Sequence, residues 1–187
     1  MDFRDAFYCI IILVLLPVLG IAQNNEAKHR INLEIPEVAL LGLISETGTD
    51  IHLNAISPTE AGNSIQSSNN QDKSLWLNYS SIITHKNHTR KIVAMVQGEI
   101  PQGVQIKVEA SEATGIGKGK KGTPVGAVTL SNTPSEIIVG IGSCYTGKGT
   151  NNGHYLSYNL EINESEFSQL SSQIEPINIV YTLTDQN

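Results

Sequence analysis

Charged residues, aromatic residues and cysteine are all scarce in this chain of 187 residues. Asp, Glu, Lys and Arg together make up 16% of the chain, well below the usual share of about a quarter. This argues against a coiled coil, a helical bundle and a charged disordered chain. Acidic residues outnumber basic ones, 18 to 12, which also argues against a general nucleic-acid-binding protein.

Small polar residues and glycine take the place of the missing charges. Ser, Thr, Asn and Gly together account for 62 of the 187 residues. Such a composition favours a β-rich protein of the extracellular type, because these residues suit turns and the outward faces of strands. The length allows one domain with a packed core and is short for two.

The N-terminus carries an apolar run, residues 6–19, which is 14 residues long and is interrupted by Pro17. A membrane-spanning helix needs about 20 apolar residues, whereas a secretory signal needs about 7–15. Gly20 and Ala22 have the spacing of a cleavage site, so we predict a signal peptide over residues 1–22 and a secreted, extracellular or cell-surface protein. The periplasm is an alternative location. An uncleaved anchor is an alternative to cleavage, because no excess of positive charge precedes the run.

Removing the first 22 residues would leave 165, which form a single predicted domain over residues 23–187. Cys144 would be the only remaining cysteine, so no internal disulfide could form. Stability must then come from a packed core, and a domain of this size can build one. The thiol of Cys144 would be either free or paired with another molecule. After signal cleavage no segment is predicted to enter a membrane.

Apolar residues alternate with polar ones, or form short continuous runs, through most of the chain after residue 30. These runs predict about ten strands, at residues 31–35, 38–44, 51–55, 75–80, 92–96, 104–110, 125–130, 136–141, 156–162 and 177–184. Turn residues separate them, and only residues 164–172 could form a helical turn or two. We therefore predict an all-β fold, an antiparallel immunoglobulin-like β-sandwich.

Two glycine-rich segments match nucleotide-binding patterns but lack the helix that such sites need. Residues 142–149 fit the phosphate-binding loop except at Gly149, where a Ser or Thr would hold magnesium. Residues 117–122 fit G-x-G-x-x-G but precede a predicted strand. We interpret both as loops. In the second loop three lysines could meet an anionic glycan or surface, namely Lys118, Lys120 and Lys121.

Cys144 and two histidines are the remaining candidates for chemistry. The residues around Cys144 match the papain-type nucleophile motif at four of five positions, but 43 residues follow it, and the histidine partner should follow more than about a hundred residues later. His85 and His88 would be half a zinc site without a nearby carboxylate or cysteine. We therefore predict no catalytic residue, no metal and no cofactor, and hence a non-enzymatic protein.

Trp76 is the only tryptophan and lies on the strand face opposite to Leu75 and Leu77. It either fills the second side of a central strand or is exposed as a platform on which sugar rings stack. In the second case a carbohydrate or another ligand would bind there, and the tyrosines are further candidate platform residues. The candidate ligand-binding residues are Trp76, Tyr145, Tyr155 and Tyr158.

Several features together give this chain a resemblance to bacterial surface proteins with an immunoglobulin-like sandwich. They are the export signal, the alternating segment 31–35, about ten strands without a disulfide, and a C-terminal strand that ends in Tyr-Thr-Leu-Thr. The chain resembles fimbrial subunits and spore-coat-U-like secreted proteins, and its signal peptide is similar to those of Bacteroidetes exports. It departs from chaperone–usher pilins, which usually carry a disulfide and have Gly where Ile174 stands. The resemblance implies a structural or adhesive role at the cell surface.

The edge strands of a sandwich offer a physical route to such a role. An extended segment of a neighbouring molecule can pair with an exposed edge by strand addition. Residues 30–44 could serve as that segment, because they alternate first and are then continuously apolar. The alternative is that they pair within their own chain. The expected partners are thus a second copy, another subunit or a glycan, and no nucleic acid.

Overall fold

The structure is a computed structural model that describes residues 26–67, 75–172 and 176–186. It divides the chain into two units, Met1–Ile35 and Pro36–Asn187. The predicted signal peptide, residues 1–22, lies outside the described residues. In the first unit residues 26–35 are irregular and belong to no strand, so the strand predicted at 31–35 is absent.

Eleven strands lie within the described part of the second unit. In chain order they are β1 (Val38–Ile44), β2 (Leu75–Ile82), β3 (Thr89–Gln97), β4 (Val104–Ala110), β5 (Lys118–Gly119), β6 (Thr123–Pro124), β7 (Val128–Thr129), β8 (Ser135–Ile141), β9 (Cys144–Tyr145), β10 (His154–Ile162) and β11 (Asn178–Gln186). A short 3-10 helix, Glu164–Gln169, follows β10, where the sequence allows a helical turn.

The strands form two sheets in which every pairing is antiparallel. In the seven-stranded sheet the pairing order is β5-β9-β2-β10-β4-β7. β9 and β10 pair with different parts of one edge of β2, and β1 pairs along its opposite edge. The four-stranded sheet has the order β11-β3-β8-β6. One core cluster contains side chains from both sheets. The prediction of an all-β, antiparallel fold is therefore confirmed.

Alternation decides which side chains face this core. In β2, Leu75, Leu77 and Tyr79 are buried, whereas Trp76 between them is only half-buried. The same period of two holds in β4 and β10, because successive side chains of a strand point to opposite faces of the sheet. Side chains on the non-core face of the seven-stranded sheet form what we call the outer face.

Two further predicted strands differ from the structure, and the strand predicted at 125–130 is shortened to β7. Residues 51–55 form no strand, although Ile51 and Leu53 still pack against the core. The near-continuous apolar sequence of β1 is that of a strand buried on both faces, but Leu40 is 66% exposed. The reason is that only one face of β1 meets the core: Leu41 and Leu43 pack against it, whereas Leu40 points to the outer face.

A buried arginine joins the edges of the two sheets. Arg90 of β3 is 4% exposed, and its guanidinium forms ion pairs with Glu37 and, at 3.1 Å, with Asp185. It also donates to the carbonyl oxygen of Val38 and, at 3.1 Å, to the hydroxyl of Ser81. One side chain thus binds the start of β1, the end of β2 and the end of β11.

Candidate functional site

An aromatic pair lies on the outer face, where β2 meets β10. Trp76 and Tyr155 are directly opposite each other in the antiparallel register, and both are half-buried. Their ring centroids are 5.7 Å apart with an angle of 71° between the planes, which is the edge-to-face geometry that aromatic rings favour. The structure therefore brings two of the four predicted platform residues together.

Tyr145 lies on the same face, further along β2. It is opposite Ser80 of β2 on one side and Lys118 of β5 on the other. Cys144, the preceding residue, points into the core, so Tyr145 points outward and is 49% exposed. Tyr145 thus belongs to the outer face but is separated from the Trp76 pair by residues 77–79 of β2.

Tyr158 lies on the other side of the sheet. Its side chain is 3% exposed, and its hydroxyl is 2.5 Å from the hydroxyl of Tyr181 on β11. Burial raises the pKa of Tyr158 to about 12. This tyrosine pair connects the two sheets inside the core, so Tyr158 is not part of an outer-face platform.

A shallow groove of about 250 Å³ lies between β1 and the loop after β9, above β2. Its walls come from β1, β2 and the loop after β9, and they include Leu40, Ile44, Ser80 and Lys148. Gly42 lines the groove without a side chain, which keeps the groove open at this position. The nearest atom to a Cβ added there would be the Asn78 carbonyl oxygen, at 4.0 Å. The groove therefore combines apolar walls with one hydroxyl and one ammonium group.

The loop 146–153 is held over β2 by hydrogen bonds of Thr146 with the backbone of Tyr79 and by the amide side chain of Asn78. Asn78 accepts a hydrogen bond from the backbone of Gly149 at 2.8 Å and donates one to the carbonyl of Asn152 at 2.6 Å. Gly153 approaches β2 so closely that a Cβ there would overlap the carbonyl oxygen of Leu77. These contacts position the backbone on both sides of Lys148.

Four lysines without ion-pair partners surround this part of the outer face. Among the described residues, Lys118, Lys120, Lys121 and Lys148 form no ion pair, whereas Lys91 and Lys107 each pair with a glutamate. The four belong to two loops that are far apart in sequence, and pairing of β5 with β9 brings them together. Sequence reasoning found the first three, and only the fold adds Lys148.

A polar cluster is buried beneath the same loops. The His154 ring has Nδ1 at 2.6 Å from the carbonyl oxygen of Ser111 and Nε2 at 2.9 Å from the hydroxyl of Tyr79. The Tyr79 hydroxyl also donates to the carbonyl oxygen of Lys121. Burial lowers the pKa of His154 and raises that of Tyr79. The cluster is closed from solvent, and its hydrogen bonds connect the loops that contain Ser111 and Lys121 to β2 and β10.

Cys144 lies next to this cluster with its side chain 7% exposed. It forms no disulfide with another residue of the described chain. Burial raises the pKa of Cys144 to about 11, although the charge of Lys121 acts in the opposite direction. At neutral pH the residue is therefore a protonated thiol rather than a nucleophilic thiolate.

The two histidines of the β2–β3 loop lie together but complete no metal site. The rings of His85 and His88 are 5.0 Å apart. Within residues 26–67, 75–172 and 176–186, no group of three His, Cys, Asp or Glu residues could hold a metal ion. Over the same ranges no helix has the length and apolar character needed to cross a membrane.

The chain was compared with protein families, curated proteins and solved structures. No family model, curated protein or solved structure matches this chain.

We predict that His154 makes the protein less stable in acid. Its folded-state pKa is lowered, so the unfolded chain binds the proton more readily. The stability it contributes is present above the unfolded pKa, about 6.5, and is lost as the pH falls through the folded value. Urea unfolding at about pH 7.5, 6.5 and 5.5 brackets that value. The free energy of unfolding should decrease over this range, by at most about 1.4 kcal/mol for each unit by which the folded-state pKa is lowered.

The control for this prediction compares two histidine variants. His154→Gln should flatten the pH dependence between these points, whatever its effect on absolute stability. His88→Gln, at an exposed position, should retain the dependence of the parent. A His154→Gln variant with the full parental slope would assign the acid sensitivity to other groups.

Proposed function

We propose that this chain is an exported, non-enzymatic cell-surface protein with a fimbria-like structural or adhesive role. In this proposal the fold is an immunoglobulin-like sandwich, and residues 26–35 of one copy add as a strand to a sheet edge of a second copy. The observation that carries the proposal is the exposure of the apolar face of this segment. Two antiparallel sheets around one core support the finer fold assignment.

The segment 26–35 has the sequence of a half-buried strand but not its environment. Ile31, Leu33 and Ile35 are 76%, 86% and 70% exposed. Their spacing places all three on one face when the backbone is extended. Exposed apolar side chains with strand periodicity suit pairing with another chain, because pairing satisfies the backbone and buries this face.

β11 has the properties of the receiving edge. It is nine residues long and pairs only with β3 among the described strands. Its core-facing residues Ile179, Tyr181 and Leu183 are only partly buried, so the core is incompletely covered at this edge. A strand added beside β11 would cover these side chains with the three apolar residues of the segment.

The expected strength of this association follows from the buried area. Burying three Ile or Leu side chains contributes about 5–9 kcal/mol before the cost of association. A dissociation constant of about 1 μM corresponds to about 8 kcal/mol. We therefore expect assembly at micromolar to millimolar concentrations rather than at nanomolar ones.

Light scattering coupled to size-exclusion chromatography tests the proposal on residues 23–187. The parent should form oligomers that grow with concentration, and the triple variant I31S/L33S/I35S should be monomeric with unchanged thermal unfolding. Deleting residues 23–35 should have the same effect. Any deletion should stop at Ile35, because Val38–Ile44 is a strand of the sheet.

The matched control changes the other face of the same segment. N32S/E34S should assemble like the parent, since neither residue lies on the apolar face. A parent that stays monomeric at millimolar concentration would contradict the proposal, as would a triple variant that assembles normally. Either result would indicate that the segment pairs within its own chain or with a different protein.

A further inference from the structure

We propose that the outer face around Tyr145 binds an acidic polysaccharide, with carboxylate or sulfate groups of the sugar meeting Lys118 and Lys148. This binding activity is independent of strand addition. It uses a different surface, the seven-stranded sheet with its two lysine-bearing loops. We call the area formed by Lys118, Tyr145, Lys148, Ser80 and Leu40 the lysine patch.

The charge of the lysine patch is the first argument. The chain has a formal net charge of −6, yet four of its twelve basic residues lie in the two loops beside Tyr145. Among the described residues none of the four has an ion-pair partner. The loop that carries Lys148 does contact one carboxylate, that of Glu46, through Thr150. A local cationic patch on an acidic protein attracts an anion to one site, while the rest of the surface does not bind anions non-specifically.

The geometry of the lysine patch is the second argument. Lys118, Tyr145 and Ser80 occupy directly opposed positions on β5, β9 and β2, and Leu40 continues the row on β1. Opposed residues on neighbouring antiparallel strands share a face, and the strands are about 4.8 Å apart. The row therefore spans about 14 Å across four strands, and Lys148 overhangs the groove beside it.

The chemical mix favours a sugar polymer over other anions. Sugar rings present apolar C–H faces, hydroxyl groups and, in acidic polysaccharides, a regularly placed negative charge. The lysine patch presents an exposed tyrosine ring, an apolar side chain, a hydroxyl and two ammonium groups, which is the combination of apolar and few polar groups found in ligand sites. Single-stranded nucleic acid would require several stacking rings along a continuous basic channel.

Isothermal titration of residues 23–187 with alginate oligosaccharides, a polymer of uronic acids, tests the proposal. Neutral dextran of similar length is the uncharged comparison, and the fluorescence of Trp76, elsewhere on the outer face, is a second readout. We expect alginate to bind, dextran not to bind, and the alginate affinity to fall as salt is added, because exposed charges are screened. The variant K118Q/K148Q should lose about ten-fold or more in affinity.

The double variant K86Q/K107Q is the matched control. It has the same net charge as K118Q/K148Q, but both residues lie outside the lysine patch. Lys107 of β4 is paired with Glu161 of β10, and Lys86 lies in the β2–β3 loop. Its alginate affinity should stay within about two-fold of the parent. Y145S should weaken binding without changing the charge, and circular dichroism should show that all variants fold.

Three results would overturn the proposal. The first is the absence of alginate binding at low salt. The second is an equal loss of affinity in both lysine variants, which would mean that only net charge matters. The third is tighter binding of single-stranded DNA of matched charge than of alginate, with the same dependence on Lys118 and Lys148, which would make the patch a nucleic-acid site.

Discussion

Replacing Arg90 with methionine should lower the free energy of unfolding by about 2–4 kcal/mol. Methionine fills much of the same volume, so the loss reports mainly on the polar contacts. Inside the protein the carbonyl of Val38 and the hydroxyl of Ser81 lose their donor. The carboxylates of Glu37 and Asp185 are 52% and 76% exposed, so water can solvate them after the arginine is gone, which limits the cost.

Chemical denaturation and thermal unfolding measure this effect. For a domain of this size the melting temperature should fall by about 4–16 °C. The matched control is Lys91→Met on the same strand, where an exposed ion pair with Glu136 at 2.8 Å is lost instead. That variant should change stability by less than about 1 kcal/mol. Equal effects of the two variants would show that Arg90 does not anchor the sheet edges.

The position of Arg90 gives this result a meaning for assembly. Its partner Glu37 immediately precedes β1, and its partner Asp185 lies at the end of β11. β1 directly follows the segment proposed to pair between copies, and β11 is the proposed receiving edge. We therefore expect Arg90→Met to loosen both edges, so that oligomers of this variant become less regular.

Replacing Gly153 with alanine should destabilise the protein by about 2–5 kcal/mol. Two costs add at this position. The backbone has a φ of 77°, in the left-handed region that disfavours side chains. The new Cβ would also overlap the carbonyl oxygen of Leu77, so the loop would have to move away from β2.

Two other glycines separate these costs. Gly149 has a φ of 92° but no atom within 4 Å of an added Cβ, so its alanine variant should lose about 1–2 kcal/mol from the backbone alone. Gly42 has neither cost, so its alanine variant should stay within about 0.5 kcal/mol of the parent. The urea midpoint should be highest for Gly42→Ala, lower for Gly149→Ala and lowest for Gly153→Ala. A Gly153→Ala variant no weaker than Gly149→Ala would mean that the loop moves freely.

The loop displacement has a functional consequence. Lys148 is held over the groove by the same backbone that Gly153 brings against β2. Gly153→Ala should therefore weaken alginate binding as well as stability, whereas Gly149→Ala should affect binding less. This separates a positioned lysine from one that acts through charge alone.

Sequence reasoning succeeded where the relevant signal was local. Alternation located β2, β4, β8, β10 and β11 to within a few residues and identified which side chains face the core. It also placed Trp76 on the opposite face from Leu75 and Leu77. It failed at residues 31–35 and 51–55, because alternation records which side chains could be buried and not whether a partner strand is present.

The candidate site was predictable only in part, for the same reason. Trp76 and Tyr155 meet because β2 and β10 pair in one particular register. Tyr158, three residues further along β10, has the opposite orientation and pairs with Tyr181 in the core. Alternation already places Tyr158 on the same face as Leu156 and Leu160 and Tyr155 on the opposite face. Only the pairing of strands and sheets decides that their neighbours are Tyr181 and Trp76.

The sequence by itself determined the all-β class, the positions of the long strands and their core-facing residues, because a period of two is a property of neighbouring residues. The tertiary structure alone decided that Arg90 meets Glu37 and Asp185, and that Lys148 joins Lys118 beside Tyr145. These residues are far apart in the chain, and only sheet order and register bring them together. Contacts of this kind depend on the whole topology, which no single segment encodes.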